Sequence, residues 1–317
     1  MNKKKIMGSS KSIKRLFYEN LRLHTKDTFE AIHRLSKICT DESTHYVFIN
    51  DHIGDFIIAI GYLRAFRLKN NIKKIEIVIT DRYRDFSKHY ESEYDKITFI
   101  PRYDLYRIFL LGATTFGEQY LIKEYPNVTF INPADSLRLG FNYMKQFPNM
   151  NLEQMIRCGC YGLGNNAEFI SLPKVKRENS QLHYKNALLT LESRTVGIGI
   201  KTIYERIAII LKSLGYSVYT NAKRESECIN GTLPVYKEIY ELRDFIGNGA
   251  IVGVRCGLHD LMMYQDCKVV AIYPKDGDFG NLFTLDMLPN TKAAHIEIVQ
   301  SGNDEYDCRK ILGFIRR

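Results

Sequence analysis

From Tyr46 to the C-terminus, short β-rich runs alternate with stretches of helical periodicity, and this alternation limits the possible folds more than any other feature of the chain. Parallel strands need long crossovers, usually helices, so the pattern points to an α/β protein with parallel sheets. The alternation runs twice. The first half predicts strands at 44–50, 74–80, 95–100 and 127–132, with helices at 55–68, within 103–123, at 134–146 and at 151–158. The second predicts strands at 185–191, 216–221, 250–254, 267–274 and 294–299, with helices near 203–214, 236–246, 258–265 and 307–317. Ile203, Ile207, Ile210, Leu211 and Leu214 follow the spacing of one helical face, with Thr202 and Glu205 as a candidate capping box and Gly215 as a C-cap. Residues 171–184 (SLPKVKRENSQLHY) break the pattern with a proline and clustered basic residues, as a linker does.

A chain of 317 residues exceeds what one core usually organises. The expected division is a basic helical extension at 1–43 packed on the first domain, a Rossmann-like domain at 44–178 and a second at 179–317. Residues 1–37 hold ten Lys/Arg against three Asp/Glu, a net of +7 of the chain's +9. Ile13, Leu16, Phe17, Leu21, Phe29, Ile32 and Leu35 recur there at helical spacing, so the extension reads as a helix with a solvated basic face. Peripheral contact with anionic lipid through residues 1–37 is the alternative use of that charge. No nucleic-acid motif accompanies it, and no nucleic-acid partner is expected. No apolar run approaches the roughly 18 residues of a membrane span, and the basic start lacks the apolar stretch of a signal peptide. The expected location is cytoplasmic, with the inner face of the membrane as a possible station. Seven scattered cysteines form no disulfide framework, and the Cys158–Cys160 pair lacks partners at zinc spacing, so reduced thiols and no metal site are expected.

Two strand-to-helix junctions are the candidate sites, because ligands of open α/β sheets bind at the carboxyl ends of the strands. The first is Asn50-Asp51-His52-Ile53-Gly54-Asp55. Gly54 permits close backbone approach, the following helix directs its amides outward, and Asp55 is either an N-cap or a general base, with His52 and Asp51 ranked below it for the same role. The second is Gly253-Val254-Arg255-Cys256-Gly257-Leu258-His259-Asp260, either a diphosphate cradle with one cation in Arg255 or a plain connection. Asp276-Gly277-Asp278 has the form of a cation-binding triplet but sits in a loop after a strand, and metal binding is not expected there. Tyr103, Tyr106 and Tyr120 are either packing residues or platforms for sugar rings. A dinucleotide oxidoreductase is disfavoured, since no GxGxxG follows the first strand.

The run IGDFIIAIGYLRAFRLKN resembles the N-terminal motif of the heptosyltransferase-like glycosyltransferases and their bacterial polysaccharide-biosynthesis relatives. GYSVYTN, followed by GTLPVYKEIYELRDFIGNGAIVGVRCGLHDLMMYQDCKVVAIYP, is similar to their C-terminal half. Together the resemblance covers roughly residues 46–70 and 205–274. It implies a GT-B fold, two Rossmann-like domains around a central cleft, that moves a sugar from a nucleotide-diphosphate sugar to a glycan or glycolipid acceptor hydroxyl without cofactor or metal. In that family the aspartate of the Gly-Asp pair is proposed to deprotonate the acceptor, a role that falls on Asp55, with Gly54 and His52 on the acceptor side. By the same resemblance Arg255, Gly257 and Leu258 line the donor diphosphate, Asp260 holds the turn or the sugar, and Asn221 and Thr232 border the nucleotide. Arg194 would supply the charge that the family's Lys or Asn supplies in the loop at 192–199. Cys256 and His259 depart from the family pattern, where a small hydroxyl residue and a cysteine stand. These departures favour one alternative, a non-catalytic GT-B-like subunit of a glycosyltransferase complex; a second is a GT-B sugar-nucleotide epimerase or hydrolase, which would keep the donor site and need no acceptor.

Overall fold

A computed structural model describes residues 26–112, 121, 123–131, 150–171, 185–193, 197–198, 201–274 and 280–317. The extension up to residue 25, the expected helix at 134–146, the linker residues 172–184, Arg194, Tyr120 and the Asp276–Asp278 triplet lie outside the described residues.

Strands β1 (Thr44–Ile49), β2 (Lys74–Thr80), β3 (Lys96–Ile100) and β4 (Val128–Ile131) form a parallel sheet in the order β3-β2-β1-β4. A second parallel sheet contains β5 (Asn186–Thr190), β8 (Ser217–Asn221), β9 (Leu233–Val235), β10 (Ala250–Val254), β11 (Lys268–Tyr273) and β12 (Ala294–Val299). A two-residue antiparallel hairpin, β6 (Glu192–Ser193) with β7 (Gly197–Ile198), follows β5. The second sheet runs β12-β11-β10-β5-β8-β9. Each sheet therefore begins third, second, first, fourth, and its strand order reverses beside its first strand. Those reversals, between β1 and β4 and between β5 and β10, open the crevices in which doubly wound sheets bind ligands.

The central strands are apolar on both faces because helices cover both. Every residue of β10 (AIVGV) is buried, whereas the edge strand β12 (AHIEIV) is mostly half-exposed. Helices α1 (residues 26–38), α2 (Ile53–Lys69), α3 (Arg102–Gly112) and α4 (Leu152–Gln154) flank the first sheet, and α4 continues as a π turn through Met155–Cys160. Helices α5 (Lys201–Ser213), α6 (Ile239–Ile246), α7 (Gly257–Met262) and α8 (Asp304–Arg316) flank the second. Helix α2 is buried from Ile53 through Leu63, as befits a helix apolar on all sides. One continuous core joins Ile57 and Ile77 to Val252 and Ile272 of the second sheet. Phe169 bridges it, edge-on to Tyr62 with centroids 4.9 Å apart and stacked on Tyr264 at 6.1 Å.

Several local expectations need correction. Helix α1 does pack on its own sheet, but through Ala31 and Leu35 against Phe48 and Phe109; Phe29 of the expected stripe is 69% exposed. Thr202 and Glu205 do not form a capping box: Thr202 Oγ1 donates to Asp304 on α8, and Glu205 accepts from Asn230. The C-terminus of α5 is as expected, with Gly215 at φ +81° and the Gly215 and Tyr216 amides donating to Lys212 and Leu211 carbonyls. The sequence left no crossover between β2 and β3, and the chain makes one from short helical turns over 81–90. Leu233–Val235, read as loop, is an edge strand that tolerates Pro234 because only β8 pairs with it.

Candidate functional site

At the first junction, β1 delivers Asn50, Asp51 and His52 to the carboxyl edge, and α2 starts at Ile53. His52, not Asp55, takes the N-cap position, in extended conformation with no side-chain cap bond. Asp55 stands in the first turn of α2, 2% exposed, with Oδ2 accepting from Asn50 Nδ2 at 3.3 Å and lying 3.9 Å from His52 Nδ1. Asp51, its neighbour, is committed elsewhere. Its Oδ1 accepts from Thr80 Oγ1 at 2.7 Å, and its Oδ2 faces Arg82 Nη1 at 3.3 Å and Arg102 Nε at 2.7 Å. These partners all sit at the ends of β2 and β3, so the carboxyl ends of three adjacent strands converge on Asp51.

The second junction is built differently. Arg255, which follows β10, is 4% exposed and directs its guanidinium inward. It forms a bidentate pair with Asp260, its Nε donates to Phe283 O at 3.0 Å, and its Nη1 also donates to Cys256 O at 2.8 Å. Four of the five guanidinium N–H groups are thus used inside the protein. Burial pushes the Asp260 carboxyl up, and the guanidinium beside it opposes that shift. Cys256 is the extended N-cap of α7, and His259 Nδ1 accepts the Cys256 backbone N–H at 3.3 Å while His259 Nε2 faces Val270 O at 3.3 Å. Burial, and secondarily Arg255, hold this imidazole neutral, with its pKa pushed down to about 3. The two residues that depart from the family pattern therefore satisfy each other as a helix cap.

The two junctions touch. A Cβ on Gly54 would lie 2.6 Å from Asp260 Oδ2, and a Cβ on Gly257 would lie 1.8 Å from Ile53 Cγ2. Only glycine allows the first turns of α2 and α7 to meet this closely. Beside the contact is a cavity of about 210 Å³, and both helices turn their amino ends toward it. Asp55, His52, Gly54, Arg255, Gly257 and Asp260 all line it. Among the other expected residues, Leu258 is buried and Asn221 exposed, and neither is part of its wall. Thr232 is also absent from the wall: its hydroxyl donates to Ile229 O at 2.8 Å and lies 2.6 Å from Thr220 Oγ1. Tyr103 and Tyr106 are exposed and lie outside it too.

Sequence reading passed over Arg82, Tyr83, Leu152, Ser193 and Phe283, which complete the wall, and ranked Asp51 low. Arg82 and Ser193 follow β2 and β5, so applying the carboxyl-edge rule to every strand would have found them. Tyr83 stacks on Phe56 of α2 with centroids 5.4 Å apart, and burial pushes its hydroxyl well above the usual phenol range.

With this architecture in hand, the chain can be placed by its likeness to solved structures. The fold is the α/β architecture of glycosyltransferases with parallel sheets. More narrowly, it is shared with heptosyltransferases. The Escherichia coli ADP-heptose LPS heptosyltransferase II superposes with a TM-score of 0.55 at 12% identity, covering 86% of this chain and 98% of that one. A family 9 glycosyl transferase from Veillonella parvula gives 0.55 at 12% identity, covering 86% and 89%. The iron-containing dodecameric heptosyltransferase TibC, in complex with ADP-D-β-D-heptose, gives 0.53 at 11% identity, covering 82% and 63%. No protein-family model and no curated protein sequence matches the chain.

Proposed function

We propose that the chain is a GT-B glycosyltransferase that moves a sugar from a nucleotide-diphosphate sugar to an acceptor hydroxyl. Its first Rossmann-like domain (44–178) would take the acceptor and its second (179–317) the donor. The observation that carries this reading is the meeting of two helix amino ends and one buried carboxylate, Asp55, at a single cavity between two switch points. Helix amino ends favour anions through unpaired amides and the helix dipole, so a diphosphate fits between α2 and α7. A cavity of about 210 Å³ suits the diphosphate and the reacting end of a sugar, with the nucleoside extending beyond it along the second sheet's edge toward Asn221.

In the transfer, Asp55 takes the proton of the acceptor hydroxyl as its oxygen bonds to the anomeric carbon. The bond from that carbon to the diphosphate breaks, and its electron pair leaves with the phosphate oxygen. Arg255 acts on the leaving group as a buried positive field largely balanced by Asp260, and the amide at Gly257 with the amino end of α2 supplies the direct contacts. The two helix ends then offset the charge without a metal, and activity should persist in chelator. Ligand names among the neighbours favour an ADP-linked heptose as donor, and the sequence resemblance favours bacterial glycan assembly at the cytoplasmic face of a membrane. Among the described residues no helix is long and apolar enough to cross a membrane.

The test is a thermal-shift panel of nucleotide diphosphates and nucleotide-sugars, followed by an acceptor-dependent transfer assay on wild type and Asp55→Asn. Product formed only with an acceptor excludes the epimerase and hydrolase readings. The internal pairing of Arg255 favours one other reading, a non-catalytic subunit. That reading wins if calorimetry detects no nucleotide-sugar binding and Asp55→Asn leaves cellular glycan unchanged.

A further inference from the structure

Glu297 lies on the edge strand β12, in register with Ala271 of β11 and outside the wall of the cavity. It is nevertheless the most heavily used carboxylate on that side of the molecule. Its Oε1 accepts from the Leu285 amide at 2.9 Å and from Tyr273 Oη at 2.5 Å, and its Oε2 accepts from Thr284 Oγ1 at 2.5 Å. Leu285 and Tyr273 are buried, so these donors find no replacement in water if the carboxylate is removed.

The three donors surround one residue of the cavity wall. Phe283 precedes Thr284 and lines the cavity, and its carbonyl accepts from Arg255 Nε at 3.0 Å and lies 3.0 Å from Tyr273 Oη. Arg255 in turn holds Asp260, which abuts Gly54 of α2. Hydrogen bonds to Thr284 and Leu285, the backbone to Phe283, and the Phe283–Arg255–Asp260 bonds thus lead from β12 to the junction of the two helix amino ends. Tyr273 has a single hydroxyl proton, and Glu297 competes with the Phe283 carbonyl for it. While the carboxylate holds that proton, the carbonyl stays available to Arg255.

We infer that Glu297 is a positioning residue: it fixes the Phe283 wall and, through the Phe283 carbonyl, the orientation of Arg255 beneath the diphosphate end of the cavity. The diphosphate part of this inference rests on the proposed function; the fixing of the wall does not. Glu297→Gln keeps one oxygen for Leu285 and Tyr273 and offers its amide to Thr284 Oγ1 as acceptor. Glu297→Ala leaves the Leu285 amide buried without a partner and frees Tyr273 to compete for Phe283 O. Glu297→Asp is a milder variant that keeps the charge on a side chain too short to hold all three donors.

Two measurements on the full-length protein separate the parts. In hydrogen exchange, the amides of 283–288 should lose about 10-fold protection in Glu297→Ala and keep it within about 3-fold in Glu297→Gln. In calorimetry with ADP, UDP and GDP, whichever binds wild type should bind Glu297→Ala about 10-fold more weakly, with Glu297→Gln restoring it. Unchanged protection in Glu297→Ala overturns the inference, and so does lost protection with unchanged affinity. If Glu297→Ala does not fold, Glu297→Asp decides: weakened protection of 283–288 with nucleotide binding a few fold weaker supports the inference, and protection and binding identical to wild type overturn it. Wild type that binds none of the three nucleotides sinks the proposed function, and hydrogen exchange then judges the wall alone.

Discussion

The two strand-to-helix junctions occupy equivalent places in their sheets yet use charge in opposite ways. At the β1–α2 junction, Asp51 gathers Arg82 and Arg102, which leaves Asp55 in the cavity wall with Asn50 and His52 as its near neighbours. At the β10–α7 junction the cation and carboxylate are five residues apart and closed on each other, Arg255 on Asp260. In the proposed transfer the first junction presents a proton acceptor to the cavity, and the second presents backbone amides over a neutralised floor. Sequence position alone would assign both the same job. The difference comes from whether the counter-charge arrives from a neighbouring strand or from the junction's own helix.

The largest expected effect tests the first junction. Asp55→Asn keeps the shape and removes the base, so acceptor-dependent transfer should fall about 10³-fold with nucleotide affinity retained. Transfer within a few fold of wild type would leave the β1–α2 junction with no chemical role and erase the contrast. The matching change at the second junction should act on folding instead. Asp260→Ala strands a buried guanidinium, and urea unfolding should show a loss of about 3–5 kcal/mol. Adding Arg255→Leu should return much of that loss, because replacing a buried pair by apolar groups is often nearly neutral. Next comes the contact between the junctions. Gly54→Ala puts a methyl 2.6 Å from Asp260 Oδ2, and the shift it forces should cost about 1–3 kcal/mol in the same assay. An unchanged Gly54→Ala would mean that the two helix ends do not need to meet.

How much of this was legible beforehand follows from the range of each interaction. Strands with apolar runs, such as β2 and β10, were read at their true ends because burial on the sheet is a local pattern. Helix α2 and the cavity positions of Asp55, Gly54, Arg255 and Gly257 were legible too, since the carboxyl-edge rule depends only on where a strand stops. Asp51 was undervalued because its cationic partners lie 31 and 51 positions away, at Arg82 and Arg102. Arg255 was read as a free cation for a related reason: a guanidinium's partners, here Asp260 and the Phe283 carbonyl, depend on tertiary closure. Asn221 and Thr232 were placed by resemblance, and the structure keeps both out of the cavity wall.

The capping histidine gives the second junction a pH dependence of its own. His259 is neutral in the fold, with its pKa pushed from 6.5 to about 3. The unfolded chain binds a proton there below about pH 6.5 and the folded chain does not, so the stability from this group is complete above that pH. It is lost as pH falls toward 3, at up to about 1.4 kcal/mol per pH unit. Urea midpoints of wild type and His259→Gln at pH 6.5, 5.5 and 4.5 isolate the term, because other groups titrate in both proteins. Parallel slopes would show that the histidine charges within the fold and that the cap tolerates it.

The smallest effect concerns the thiol at the cap. Cys256 lines the cavity where a hydroxyl would reach a phosphate oxygen, and a thiol is a weak donor. Serine is also the better N-cap, because its oxygen accepts helix amides more strongly than sulfur does. Cys256→Ser should therefore leave folding unchanged or slightly improved and tighten nucleotide-diphosphate binding about 2–10-fold. A gain of that size would locate the diphosphate over the α7 amino end and show that the junction gave up affinity when it took cysteine. A variant with unchanged affinity would move the diphosphate away from α7 and toward α2, where Asp55 and the helix amides would have to share one anion. Placing the anion beside a carboxylate is the costlier arrangement, so the direction of this small change discriminates between the two halves of the cavity.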